Sequence, residues 1–368
     1  MLLLAASIGK TQTITLPVKC SLPIVAKESS GLEISNSNSF WTHNDHGGKP
    51  ELYNFDSLGN LLKTLKIINA SNEDWEDIAQ DDNDNFYIGD FGNNDNDRKD
   101  LVVYKIPNFS TLSKDSIQAE KIFFSYPDQQ SFPAQLSNKN FDVEAFFALN
   151  NKLFLFTKNR SNPNNGYSKI YSLPTAPGTY IAELIDSFFT GYGSGKYKQV
   201  TAADITPSQK QIALLCNDAL FLITDFEENN FSSGNVQSFL LSPSSQKEGV
   251  CFLNDSELYI TDEFAGNIGR QLYYLNITNI LAGNNDNTVT LPSLVKKNDS
   301  ISFNLSGLKQ GHYTISIHDI NGNILNQKRV KLEQGDDNIF NLFINQNVFF
   351  IATITDAKSR ILVAQKFY

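Results

Sequence analysis

Three glutamates occupy matching places in a phrase that recurs along this chain: Glu76 in Glu76-Asp77-Ile78, Glu144 in Glu144-Ala145-Phe146 and Glu248 in Glu248-Gly249-Val250. Two further copies, Ser30-Gly31-Leu32 and Ala203-Asp204-Ile205, lack the carboxylate at that place. Each phrase leads through a turn to an apolar run that closes on polar residues: Asn44 and Asp45, Asp90, Lys158, Asn217, and Asp262. Carboxylates brought together repel one another until something neutralises them. The remedies are raised pKa values, basic partners such as Lys158, Arg160 or Arg98, or a bound cation. Carboxylate, amide and carbonyl oxygens in flexible geometry suit Ca²⁺, whereas no His/Cys cluster supports zinc. Glu76, Glu144, Glu248 and Asp90 are therefore the expected metal ligands, with a water-filled polar channel as the alternative. His46, in Thr42-His-Asn-Asp-His-Gly-Gly48, stands near the same residues and could act as a general base beside Glu76 and Asp90. It reads equally as a loop histidine.

Something must gather phrases that lie roughly 45 to 70 residues apart, a spacing within or a little above that of propeller blades. Between the turn signals the chain reads as groups of four strands. The fifth group lacks its last strand, and Thr11 to Val18, ahead of the first group, has no other partner. The expected fold is all-β: a five-bladed β-propeller closed by this N-terminal strand, over residues 11–283. A six-bladed ring is the alternative. In a propeller the starts of the innermost strands and the ends of the second strands meet on one face around the axis. Both sets of polar residues thus converge on one mouth.

Composition agrees. The 368 residues include 27 Phe and 14 Tyr against one Met, an enrichment that favours sheet over helix. A net charge of −10 without a basic stripe argues against nucleic acid and anionic membranes as partners. Cys20, Cys216 and Cys251 form no metal-spaced pair. Each reads as a buried thiol, and a Cys216–Cys251 bridge stays open. Met1 to Gly9 reads as part of a secretory signal (residues 1–10) or as a frayed strand. No stretch is long enough to span a bilayer. No nucleophile elbow, P-loop or dinucleotide fingerprint occurs. Asp81-Asp-Asn-Asp-Asn85 reads as a hairpin turn rather than a calcium loop, since it lacks the glycine and terminal glutamate.

After the polar segment Gly283 to Thr288, short alternating strands suit a small β-sandwich over 289–368, with Asn321-Gly322 as a hairpin turn. This tail, through Gly311-His-Tyr-Thr-Ile-Ser-Ile-His-Asp-Ile-Asn-Gly322, Phe349 to Thr355 and Val363 to Tyr368, resembles the C-terminal sorting domain of proteins exported by the type IX secretion system. It departs from that pattern at Asn345-Gln-Asn347, where the family carries a glycine. A generic accessory sandwich is the other reading. Asp74-Trp-Glu-Asp-Ile-Ala79, Tyr87-Ile-Gly-Asp-Phe-Gly-Asn-Asn94, Arg98, Tyr126-Pro-Asp128 and Asp142-Val-Glu-Ala145 resemble a group of secreted bacterial propeller proteins. More distantly, the propeller resembles calcium-containing phytase-like and lactonase propellers. The resemblance implies export, with the secretion machinery as a partner and a secreted or cell-surface location. It also adds Asn94 and Arg98 to the mouth. The expected function is binding of a small polar ligand or partner there, through Asn44, Asp45, Asn94, Arg98, Lys158 and Asp262, with Ca²⁺ as the cofactor. A Ca²⁺-dependent hydrolase of phosphate or carboxylic esters is the alternative.

Overall fold

The computed structural model describes residues 12–36, 38–191, 198–281, 293–297, 300–305, 310–319, 321–332, 339–343, 350–357 and 361–367. The expected signal segment, the Gly283 to Thr288 linker, the Asn345 to Asn347 departure and Tyr368 lie outside these residues.

Residues 12–276 form five sheets, antiparallel except for one added edge strand in each of three. Their innermost strands are Ser29–Asn36, Trp75–Gln80, Val143–Leu149, Val200–Ile205 and Lys247–Asn254. Each inner strand packs beside the next, and the fifth packs beside the first, so the ring of a β-propeller is complete. The five sheets are called blades 1 to 5 in chain order. Apolar side chains on both faces of each blade fill the spaces between blades. One continuous core joins blades 2 and 3 through Tyr87, Phe91, Phe146, Leu155 and Tyr171. Another joins blades 3 and 4 through Phe147, Phe154, Phe156, Leu214 and Phe221. Blades buried on both faces read as near-continuous apolar runs, which is why the periodicity of strands such as Lys152–Thr157 is hidden in the sequence.

Closure differs in detail from the single strand expected. The outer strand of blade 5, antiparallel to Gln271–Asn276, is Val18–Ser21, which shares only Val18 with the strand expected there. Gln12–Thr15, however, runs parallel to Asn235–Ser242 of blade 4. Pro17, which has no N–H to donate, separates the two short strands. The same device recurs twice. Ser116–Ile117, from the blade 2 chain, adds in parallel to blade 1, and Gly178–Ile181, from the blade 3 chain, adds in parallel to blade 2. In each case the neighbour's chain supplies a fifth strand that covers an otherwise open edge.

Cys20, Cys216 and Cys251 are all buried and none is in a disulfide, so Cys216 and Cys251 are not bridged. Asp81 makes the expected turn: its carboxylate accepts hydrogen bonds from the backbone N–H groups of Asn83 and Asn85 and from the Tyr87 hydroxyl.

The C-terminal residues form a three-stranded sheet and a four-stranded sheet. Ile301 and Phe303 of the first face Tyr313, Ile315, Ile317, Phe350, Ala352 and Ile354 of the second in one core. The every-second-residue spacing of these positions is that of a sandwich.

Candidate functional site: an acidic propeller mouth

The first residue of each paired inner strand faces the last residue of the second strand: Ser29 with Asn44, Trp75 with Asp90, Val143 with Thr157, Val200 with Cys216, and Lys247 with Asp262. The next residues are Ser30, Glu76, Glu144, Thr201 and Glu248. In blades 2 to 5 that residue is bulged out of the ladder, which re-aims its side chain. The register therefore equates Thr201, not Ala203, with the glutamates. The two hydroxyl copies tie blades together: Ser30 Oγ donates to the Glu76 carbonyl at 2.5 Å, and Thr201 Oγ1 donates to the Lys247 carbonyl at 2.7 Å. The three glutamates are left for the mouth.

Glu76 is the hub of the carboxylates. Ligand oxygens of Asp45, Asp74 and Glu76 lie within 4.8 Å of one another, and so do those of Glu76, Asp142 and Glu144. Gly92 makes the crowding possible. A Cβ there would stand 2.1 Å from Glu76 Oε1 and 2.5 Å from Asp74 Cγ.

The two groups differ in how they are balanced. In the second, Lys158 Nζ lies 2.8 Å from Glu144 Oε2, and Arg160 reaches Asp142 at 2.5 Å and Glu144 at 2.9 Å. In the first, the Glu76 carboxylate accepts no hydrogen bond from any described residue. Asp74 Oδ1 is buried and unpartnered. His46 Nδ1 does stand 3.2 Å from it, but the approach lacks hydrogen-bond geometry, so the oxygen is left without a hydrogen bond.

The electrostatics follow. Burial, then Glu144, Asp45 and Asp74, drive the Glu76 carboxyl well above the usual range. Burial, with Asp45 and Asp142, pushes Asp74 up to about 6. Glu144 rises to about 7 by burial, against the pull of Lys158. Glu248 is raised by burial, again opposed by Lys158, and accepts from Asn217 Nδ2 at 3.0 Å. Burial alone would lower the Lys158 ammonium, but Glu144, Glu248 and Glu76 hold it above the usual lysine range.

Of the residues expected from sequence, the structure brings together Glu76, Glu144, Asp45 and Lys158, with Glu248 beside Lys158. Asp90 and Asp262 instead turn into their own blades. Asp90 accepts from the Asp74 N–H at 3.1 Å and Arg98 Nη2 at 3.0 Å. Asp262 accepts from the Gln271 N–H and the Tyr273 hydroxyl, each at 2.7 Å. Both end a second strand, where strand alternation turns the side chain onto the blade face; after Asp262 the next residue, Glu263, turns to the mouth, whereas after Asp90 the next, Phe91, joins the core between blades 2 and 3. Asn44 accepts from the Glu28 N–H and donates to the Val25 carbonyl. Arg98 binds Asp90, Asp100 and the Gly92 carbonyl. Asn94 is exposed; its neighbour Asn93 is the buried one, donating to the Phe141 carbonyl. Trp75 is a wedge between blades, edge-on to the buried His43 ring.

Asp74, Asp142, Arg160 and Glu263 join the mouth without having been singled out as ligands. Asp74 and Asp142 each precede a hub glutamate by two residues, so the repeated Asp-x-Glu of blades 2 and 3 was the available signal. Deeper on the axis, Glu33, Asp77 and Asp204 accept N–H groups from neighbouring inner strands. Asp77 Oδ2 takes those of Phe146 at 3.0 Å and Ala203 at 3.2 Å. Glu33 takes that of Gln80, and Asp204 that of Phe252.

No family model matches the chain, and no curated protein does. Solved structures do align. A PQQ-bound aldose sugar dehydrogenase from Streptomyces coelicolor aligns over 71% of this chain and 97% of its own, at 9% identity and a TM-score of 0.42. A putative gluconolactonase aligns over 73% and 90%, at 10% identity and 0.33. The extracellular domain of a putative hybrid two-component system from B. thetaiotaomicron aligns over 97% of this chain, at 10% identity and 0.33; this chain spans 59% of it. Likeness at these levels says nothing of ligand or activity. Among the described residues no helix is long and apolar enough to cross a membrane.

Proposed function

We propose that the mouth holds a calcium ion on Asp45, Asp74 and Glu76, and that the ion anchors a small polar ligand. The observation that carries this is the imbalance between the two carboxylate groups. Lys158 and Arg160 pair directly with Asp142 and Glu144, while among the described residues Asp45, Asp74 and Glu76 have no basic side chain in ion-pair contact but the exposed His46, and one buried oxygen lacks a hydrogen bond. The donor set fits. Oxygens at about 2.4 Å from one ion stand no more than about 4.8 Å apart, the limit within which these three lie. Purified, metal-stripped protein titrated with CaCl₂ in a calorimeter is expected to bind one ion, and Glu76→Gln to lose it. Absence of saturable heat in the parent protein at millimolar calcium would refute the site.

The alternative, a calcium-dependent hydrolase of phosphate or carboxylic esters, rests on His46, whose exposed imidazole stands beside Asp74 and is able to move a proton there. Turnover of phosphate esters or lactones that EDTA abolishes would support it, and its absence leaves the binding reading. We read the C-terminal sandwich as an export address, from its resemblance to type IX sorting domains. On that reading the propeller works outside the cell or at its surface.

A further inference from the structure

Beside the carboxylates, where blade 5 meets blade 1, two loops lock together. One is segment 22–28, with its short helical turn Ile24–Ala26. The other is segment 263–270, pinched by the Ala265 and Ile268 backbone pair. The Phe264 N–H donates to the Lys27 carbonyl at 2.7 Å, and the Arg270 guanidinium donates to the Leu22 carbonyl. Asn44 fastens the first loop to the strand that leads into Asp45, donating to the Val25 carbonyl at 2.7 Å. The loops thus have little freedom to hide their side chains. Yet Ile24, Val25, Phe264 and Ile268 are 72%, 37%, 50% and 56% exposed. Four large apolar side chains on two interlocked loops form a lip, and such patches mark binding surfaces.

Next to Phe264 is Glu263. It is only 8% exposed, and its carboxylate accepts no hydrogen bond from any described residue. Its charged neighbours are Asp45, Lys158, Glu28 and Glu144, so it is directed at the mouth. Lys158 is already held by Glu144 at 2.8 Å, and Lys27 by Glu28 at 3.1 Å. A buried carboxylate without a donor, at the foot of an apolar lip, calls for an occupant that brings a cation and a hydrocarbon surface together.

We infer that Glu263 and the lip of Ile24, Val25, Phe264 and Ile268 bind an organic ammonium that carries a hydrocarbon group. The ammonium sits against Glu263 with Asp45 and Glu28 near it, and the hydrocarbon lies on the lip. Opposite charge selects the head, and apolar burial selects the tail. The inference does not rest on calcium: of the three proposed calcium ligands only Asp45 lies near the ammonium, and the carboxylate that holds it is Glu263.

The test uses the metal-stripped full chain and three probes: n-hexylammonium, methylammonium and hexanoate, titrated by calorimetry. Hexylammonium is expected to bind at least about tenfold more tightly than methylammonium, since burial of two methylenes already supplies that factor. Hexanoate is expected not to bind. Phe264→Ser with Ile268→Ser should erase the preference for the longer amine, and Glu263→Gln should weaken both amines about tenfold, with melting curves kept as the check on folding. Glu76→Gln, which removes calcium binding in the reading above, should leave hexylammonium affinity within about threefold. That arm separates failure of one proposal from failure of the other. Equal affinity for the two amines, hexanoate binding as tight as hexylammonium, or no amine binding at millimolar concentration overturns the inference.

Discussion

Replacing Gly92 by alanine tests the calcium site without touching a ligand. The substitution adds one methyl group, which would stand 2.1 Å from Glu76 Oε1 and 2.5 Å from Asp74 Cγ and Oδ2. Contacts of that kind need about 3.4 Å or more, so both carboxylates must retreat by about 1 Å. Metal ligands tolerate only about 0.2 Å of misplacement. At least one of three ligands is then lost, and an affinity loss of tenfold or more is expected. The metal-free protein should suffer far less. Its retreating groups are side-chain ends, and alanine for glycine lowers the entropy of the unfolded chain, a gain of roughly 0.4–1 kcal/mol. Thermal melts with and without calcium separate the two effects. At calcium one hundred times the parent dissociation constant, binding stabilises the parent by about 2.7 kcal/mol; a tenfold weaker site retains about 1.4 kcal/mol. The calcium-induced rise in Tm should therefore fall to about half or less, while the metal-free Tm stays close to that of the parent. An undiminished calcium shift would show that Gly92 does not bound the site, and the geometric argument would fail.

Metal-free protein should lose stability as pH rises from about 5 to 8. Burial lifts Asp204 and Glu144 to about 7 and Glu263 to about 8, above their unfolded values, so the native state binds more protons in this window and stability falls with pH. Urea unfolding at each pH measures it, and a flat profile would contradict the assigned shifts. Asp77→Asn should destabilise by about 1–3 kcal/mol. Asp77 Oδ1 serves the Ile78 N–H and Oδ2 serves those of Phe146 and Ala203, and an amide has only one oxygen, so at least one buried N–H must face an NH₂. Parent-like urea midpoints would show that the axial belt carries no such load. A chain stopped near residue 284 is expected to fold and stay in the periplasm, read by fractionation; its normal release would remove the sorting role.

Much of this protein is written along the chain because strands and turns are local. The phrases around Glu76, Glu144 and Glu248 recur at blade spacing, and the turn residues between them mark the strand ends. From these, an all-β propeller and an acidic mouth follow, as do Lys158 at its edge and the sandwich beyond. What tertiary structure decided is direction and company. A one-residue bulge determines whether a side chain faces the axis or the next blade, and alternation sends Asp45 and Glu263, one residue past the end of a second strand, inward but Asp90 and Asp262, which end one, outward. The bulge also moves the blade 4 counterpart from Ala203 to Thr201. Lys158 and Arg160 neutralise Glu144 and Asp142 within blade 3, but Glu76 of blade 2 meets Asp45 of blade 1 and Asp142 of blade 3 only once the ring closes. The recurring phrases place acidic groups around one end of the axis. The folded ring decided which of them remain without a counter-charge, because repulsion and burial depend on distances of a few ångströms that no spacing along the chain encodes.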